Sequence, residues 1–192
     1  FHTLVLYGHG HWSPPYLGRV HGMAIRDIAF WLALLSIGPG ALGLWLSGVV
    51  ADRWQGVTAN ARIWVAIGSI VLLLPLEAAY VLADDGGTAL IISVATHFLG
   101  GAYLAPVIAH IHGMFGSRSR ALASAMLLLS LNLIGLGIGP LLVGALSDLL
   151  APAYAGRALP LAMLAILPAQ VVALALLWRS TRGSAHIEDA MA

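Results

Sequence analysis

The sequence contains no cysteine and no lysine, and few charges of either sign. Without cysteine there is no disulfide and no thiolate metal site, so the redox compartment cannot be read. All nine basic residues are arginine, a usage that reflects coding bias rather than function. Charged residues make up 9% of the chain, far below the ~25% of soluble domains. A phosphate loop with lysine, a nucleophile elbow and paired carboxylates in a cleft are all missing. ATP-driven pumping and hydrolysis therefore have no support, and no cofactor is called for. A net charge of +1 gives no sign of a nucleic-acid partner. The chain begins at Phe1, inside apolar text and without a signal-peptide pattern. It is expected to be the later part of a longer protein, whose N-terminal half is a partner.

Apolar residues are plentiful: they form 60% of the chain, and the mean hydropathy is +0.92. This is the composition of an integral membrane protein. The stretch that organises it is 121–147, about 27 residues without a charge, bounded by Arg120 and Asp148. A helix of that length spans ~40 Å, more than the ~30 Å hydrocarbon core requires. Lipid cannot satisfy peptide groups, so a helix is the expected form. Gly135, Gly137, Gly139, Pro140 and Gly144 crowd its second half, and Asn132 lies near its middle. At ~100° per residue, Gly137, Pro140 and Gly144 share one face, while Asn132, Gly135 and Gly139 share another. Two smooth faces predict two close helix neighbours. Pro140 has no N–H for the carbonyl four residues back, which predicts a kink.

Five further hydrophobic segments are read along the chain. Residues 1–13 form an apolar stub, too short to span alone, that Pro14-Pro15 should end; a loop at 16–23 follows. The second segment is 28–51, closed by Asp52 and Arg53. The third is 63–83 and contains Pro75 and Glu77. The fourth is 88–109, with His97, Gly100, Gly101 and Pro106, followed by a loop at 110–120. The sixth is 158–178, and a polar tail, expected to fray, covers 179–192. Alternate ends place Arg53, Arg62, Arg118, Arg120, Arg179 and Arg182 on one side, and Arg19, Arg26 and Arg157 on the other. The arginine-rich side should be cytoplasmic, which puts the C-terminal tail there. There is also an echo: Gly38-Pro39 with Gly43 in the second segment, and Gly139-Pro140 with Gly144 in the fifth. These positions correspond if three helices repeat with inverted topology, a pattern that points to a transporter.

Three stretches carry a resemblance to a known family. Trp12-Ser13-Pro14-Pro15-Tyr16-Leu17 with His21-Gly22-Met23 resembles the end of the seventh helix and outer loop of spinster-like members of the major facilitator superfamily. Gly48-Val49-Val50-Ala51-Asp52-Arg53 resembles that superfamily's G-x-x-x-D-R loop, and residues 132–148 resemble its eleventh helix. The resemblance covers nearly the whole chain. It implies an all-α integral membrane fold, the C-terminal six-helix half of a twelve-helix transporter with inverted three-helix repeats and a truncated first helix. The bundle is 1–178 and the tail 179–192. The loop departs from the family in continuing Trp54-Gln55-Gly56, with Arg62 the next base.

The resemblance implies that Gly48, Asp52 and Arg53 latch the cytoplasmic gate. The bland alternative is a solvated helix end. His97, near mid-span, is an ionisable group in lipid and so a functional candidate, suited to a proton relay or an anionic solute; a neutral, hydrogen-bonded histidine is the alternative. Asn132 is a solute contact or interhelical glue. Tyr7, His11, Trp12 and Tyr103 line the cavity or form an interfacial belt. Glu77 is ~9 Å from the outer end of its span, on a helix that the family makes peripheral, and reads as snorkelling or structural. His9 with His11, and His110 with His112, are i and i+2 pairs that cannot share a metal on a helix. Gly38, Pro39, Gly43, Gly135, Gly139, Pro140 and Gly144 are the hinge and packing set.

The reading that follows is secondary active transport of a small organic solute by alternating access. The coupling ion is the proton, and the location is a bacterial plasma membrane, with lipid around the bundle. Lysolipids, organic anions and drugs are all open as solutes. A non-transporting scaffold or sensor with the same fold is the alternative; a membrane-embedded enzyme ranks last.

Overall fold

The computed structural model describes residues 1–58 and 60–191, with side chains described except at 117 and 182–191. The described residues form helices and turns without a strand. We number six helical arms. α1 is His2–His21. α2 is Ile25–Trp54, with a π-helical stretch at Ser36–Gly40. α3 is Ala61–Val81 and α4 is Gly86–Met114. α5 joins Ser117–Ser130, the π-helical Leu131–Ile138 and Gly139–Tyr154. α6 joins Ala158–Ala165 and Pro168–Met191. By length and composition, membrane-crossing helices occur in Ile25–Trp54, Ala61–Val81, Gly86–Met114 and the run Arg118–Thr181, which folds back at Ala155–Arg157. The tail boundary expected at 178 falls inside α6.

α1 departs from the sequence reading. It is helical over 20 residues, past the stub read at 1–13, and at 1.5 Å per residue that is ~30 Å. It passes through Pro14 and Pro15 and continues to His21, where Gly22 caps it with φ 65°. The expected loop at 16–23 is therefore mostly helix. Neighbouring groups let a membrane helix carry proline. Past the prolines, the buried Tyr16 hydroxyl lies 2.9 Å and 3.1 Å from the carbonyls of Tyr80 and Val81, so it bridges the end of α1 to the end of α3. α1 is also polar because it is interior: His2, Thr3, His9 and Ser13 are buried.

The Gly-Pro sites form wide helical turns. One π stretch contains Gly38-Pro39, and the other ends immediately before Gly139-Pro140. A proline removes an i→i−4 bond, and the π turn re-registers the ladder at that point. Helices then approach through glycine. A Cβ on Gly139 would collide with the Leu4 carbonyl and lie 3.2 Å from Gly8 N, and one on Gly135 would meet Tyr7 and Thr3. Gly144 faces the Trp12 ring, whose Nε1 donates to the Pro140 carbonyl at 2.9 Å. All three glycines thus serve one neighbour, α1, instead of the expected two, because the long Trp12 side chain reaches the second face. Gly137 meets only its own helix.

A matching junction joins α2 and α4. A Cβ on Gly43 would strike the Phe98 carbonyl, and one on Gly101 the Gly40 carbonyl. Gly38, named in the hinge and packing set, has open space around it, and Gly40 lies at this junction instead. In α4, Pro106 withholds a donor from Ala102. The helix is interrupted at Tyr103, whose buried ring meets His2 edge-on with centroids 4.2 Å apart. The loop expected at 110–120 shrinks to Phe115-Gly116, with His110 and His112 on α4. Many large apolar side chains on the outside are exposed, including Ile37, Trp45, Ile91, Leu141 and Leu149. That surface suits lipid and not water.

Candidate solute cavity

A cavity of 540 Å³ lies between α1, α2, α4 and α5, with α3 behind it. That is within the ~300–1,000 Å³ of small-molecule sites. Both π turns open onto it, through Ser36 and Gly40 on one side and Leu131 and Asn132 on the other. π turns are frequent at functional sites. The mostly apolar wall carries a few polar groups: Tyr7, His9 and Ser13 of α1, Glu77 and Tyr80 of α3, Ser93, Thr96, His97 and Tyr103 of α4, and Asn132 of α5.

Among the residues singled out from sequence, Tyr7, His97, Tyr103 and Asn132 meet at this wall, while His11 does not. Residue 11 is exposed, and its ring lies edge-on to Trp12. At ~100° per residue, Leu6, His9, Gly10 and Ser13 define the face of α1 toward the cavity; Tyr7 lies at its rim and His11 turns beyond it. Trp12 likewise binds α5 and leaves the cavity to its neighbours. His97 Nδ1 is 2.8 Å from the Ser93 carbonyl. A carbonyl can only accept, so Nδ1 carries a proton and, in the neutral ring, Nε2 is a free acceptor. The Asn132 amide donates to the Leu128 carbonyl on its own helix at 2.8 Å, which leaves its Oδ1 available to a ligand.

Of the two readings of Glu77, snorkelling and a structural pair, the structure has the second. It does not snorkel: it is buried at 3% exposure and lines the cavity. Gln170 of α6, which no motif flagged, donates to its Oε2, and His9 Nδ1 stands 3.9 Å from its Oε1. A lone glutamine in an apolar run and a lone glutamate in another were the available signals, since membrane interiors bury such groups in pairs.

At the end of α2, Asp52 and Arg53 are exposed, and Gly48 lies near Ala105 of α4. Asp52 has a partner inside the chain: Arg62 Nη2 is 3.3 Å from its Oδ1, and Arg62 Nη1 donates to the Ala109 carbonyl at 3.1 Å. One guanidinium therefore links the ends of α2, α3 and α4. Arg62, the next base after the loop in the sequence, is this partner. Among the described residues no group of three or more metal-ligating side chains clusters.

No family model matches the chain. It is 31% identical over 157 residues to a protein of Mycolicibacterium smegmatis named as an MFS-type efflux pump, where MFS denotes the major facilitator superfamily. The match takes in 82% of the chain and 36% of that pump. Two crystal structures of a bacterial homolog of the human lysosomal transporter Spinster, inward-facing and either occupied or unoccupied, superpose with TM-scores of 0.80 at 23% identity. They cover 95% of the chain, which spans 47% and 45% of theirs. The chain thus spans about half or less of the length of these relatives, all of them transporters and none an enzyme. It is an integral membrane chain with the major facilitator fold, similar to part of a longer transporter of that superfamily.

Proposed function

We propose that this chain is one six-helix half of a secondary active transporter that moves a small organic solute by alternating access. The observation that carries the proposal is the paired construction around the cavity. If α1–α3 and α4–α6 are inverted repeats, α1 corresponds to α4 and α2 to α5. The glycine junction of α1 with α5 then becomes that of α4 with α2, and each π turn maps onto the other. Each junction carries a wide turn that opens on the cavity from its own side, as a site between repeats of a transporter does.

In this reading Tyr7, His97, Tyr103 and Asn132 contact the solute. Their apolar surroundings with few polar groups suit an amphipathic molecule, so lysolipids, organic anions and drugs are the classes to assay. Efflux is the direction suggested by the named relative. Protons drive it, and His97 is one titratable group at the cavity. Asp52 and Arg53 with Gly48 form the cytoplasmic latch, which Arg62 completes on this side. The other half of the protein closes the cavity, the arginine-rich ends and the tail are cytoplasmic, and the membrane is a bacterial plasma membrane. The test is solute flux by the intact protein in liposomes under an imposed pH gradient. Gradient-driven, saturable flux supports the proposal. Absence of flux for all three solute classes, from protein that remains folded, would leave a non-transporting membrane scaffold.

A further inference from the structure

Three buried polar side chains from three helices meet at the back of the cavity: His9 of α1, Glu77 of α3 and Gln170 of α6. His9 Nε2 is 2.9 Å from the Met163 carbonyl, so that nitrogen carries a proton. In the neutral ring Nδ1 is then a lone pair. It has no hydrogen-bond partner among the described residues, and it faces Glu77 Oε1 at 3.9 Å. Gln170 Nε2 holds the other carboxyl oxygen. The glutamine thus fixes the carboxyl group and leaves Oε1 for the imidazole. The ion pairs among the described residues give Glu77 no arginine; Arg62 is engaged with Asp52.

This arrangement has room for one proton. A bare carboxylate beside a neutral imidazole leaves a negative charge in an apolar interior, which costs free energy. One added proton gives either a carboxylic acid aimed at the Nδ1 lone pair or an imidazolium beside a carboxylate. Both are neutral overall; the apolar surroundings favour the acid, with its O–H bond at Oε1, over the charge-separated form with an N–H bond at Nδ1. The gap is longer than a hydrogen bond, and a small rotation of Glu77 or one bridging water spans it. The other titratable side chains on this cavity are Tyr7 of α1, Tyr80 of α3, and His97 and Tyr103 of α4, and Tyr16 of α1 packs against Tyr80. α6 brings only Gln170, since 158–178 has no titratable side chain. His97 is less suited to the task, because Nδ1 is committed to Ser93 and, among the described residues, no carboxylate is paired with it.

We propose that Glu77 and His9, oriented by Gln170, form a proton-binding site on the solute cavity that is loaded and emptied during transport. The loading step rests on the transport reading above; the site itself does not. Infrared difference spectra of the intact protein, recorded over roughly pH 5 to 9, need no solute. One protonated-carboxyl stretch should titrate, disappear in Glu77→Gln and persist, displaced, in Glu77→Asp. His9→Gln should move its midpoint by about one pH unit, a tenfold change in proton affinity. In liposomes, Glu77→Gln should lose flux driven by a pH gradient. A band that survives in Glu77→Gln, or a midpoint unmoved by His9→Gln, overturns the site. Unchanged gradient-driven flux in Glu77→Gln overturns its coupling role. A titrating Glu77 band in a parent protein without flux supports the site and overturns the transport reading instead.

Discussion

Substituting alanine at two packed glycines and two open ones tests the helix junctions directly. In Gly139→Ala and Gly43→Ala the new methyl group meets backbone, the Leu4 carbonyl in one case and the Phe98 carbonyl in the other. Backbone cannot rotate away as a side-chain tip can, so the helices must separate. Overpacking of this kind costs ~1–3 kcal/mol, and alanine's better helix propensity returns up to ~1 kcal/mol. A net loss of about 1–2 kcal/mol is expected, or ~2–8 °C in melting temperature on the scaling for chains of this size. Gly38→Ala and Gly68→Ala meet nothing within 4 Å and should hold or slightly raise the melting temperature. The assay is thermal unfolding of the four variants in the same detergent. If all four melt together, α1–α5 and α2–α4 are not held by glycine contact, and the paired construction loses its basis.

Three further outcomes follow from named contacts. Asp52→Asn weakens the Arg62 pair; the aspartate is largely exposed, so stability should change by less than ~1 kcal/mol, while spin-label distances between the two ends of the cavity should shift in population. Identical distance distributions would remove the latch. Tyr16→Phe removes the hydroxyl that bridges to Tyr80 and Val81, and a loss of ~0.5–1.5 kcal/mol should appear in unfolding; none would show that α1 and α3 are joined by packing alone. Asp85 caps α4, and the Thr88 hydroxyl and then the Thr88 N–H hold its carboxyl below the usual carboxylate range. A carboxyl depressed in the folded state contributes above the unfolded value, near pH 4, and loses its contribution as pH falls through the folded one. Asp85→Ala should therefore lower the melting temperature at neutral pH, with the difference from the parent vanishing in acid. A difference that persists at low pH would rule out the charged cap.

The Gly-Pro echo was legible because glycine and proline act on the backbone locally. Gly43, Gly135 and Gly139 pack as a smooth face should, and Pro39 and Pro140 mark the wide turns. His97 and Asn132 were legible from depth alone, since a polar group at mid-span has few places to go. Glu77 was not, because counting residues gives depth but not the face a side chain presents. Its partners, His9 and Gln170, lie 68 and 93 positions away in sequence, and no local pattern joins them. Pro14-Pro15 misled for a related reason: proline breaks an isolated helix, whereas packed neighbours carry one through. The service of Gly144 to α1 was hidden because a long side chain, Trp12, reaches across to it.

The central claim, that the cavity between α1, α2, α4 and α5 is the route of the solute, is tested most directly by filling it. Thr96 lines the cavity, while Ile91 of the same helix is 74% exposed on the outer surface. Flux should be measured in liposomes for intact protein carrying Thr96→Trp or Ile91→Trp, each matched to the parent in membrane yield and melting temperature. The account predicts that Thr96→Trp reduces flux to background and Ile91→Trp leaves it at the parent rate. Parent-level flux in Thr96→Trp would place the route elsewhere and contradict the account.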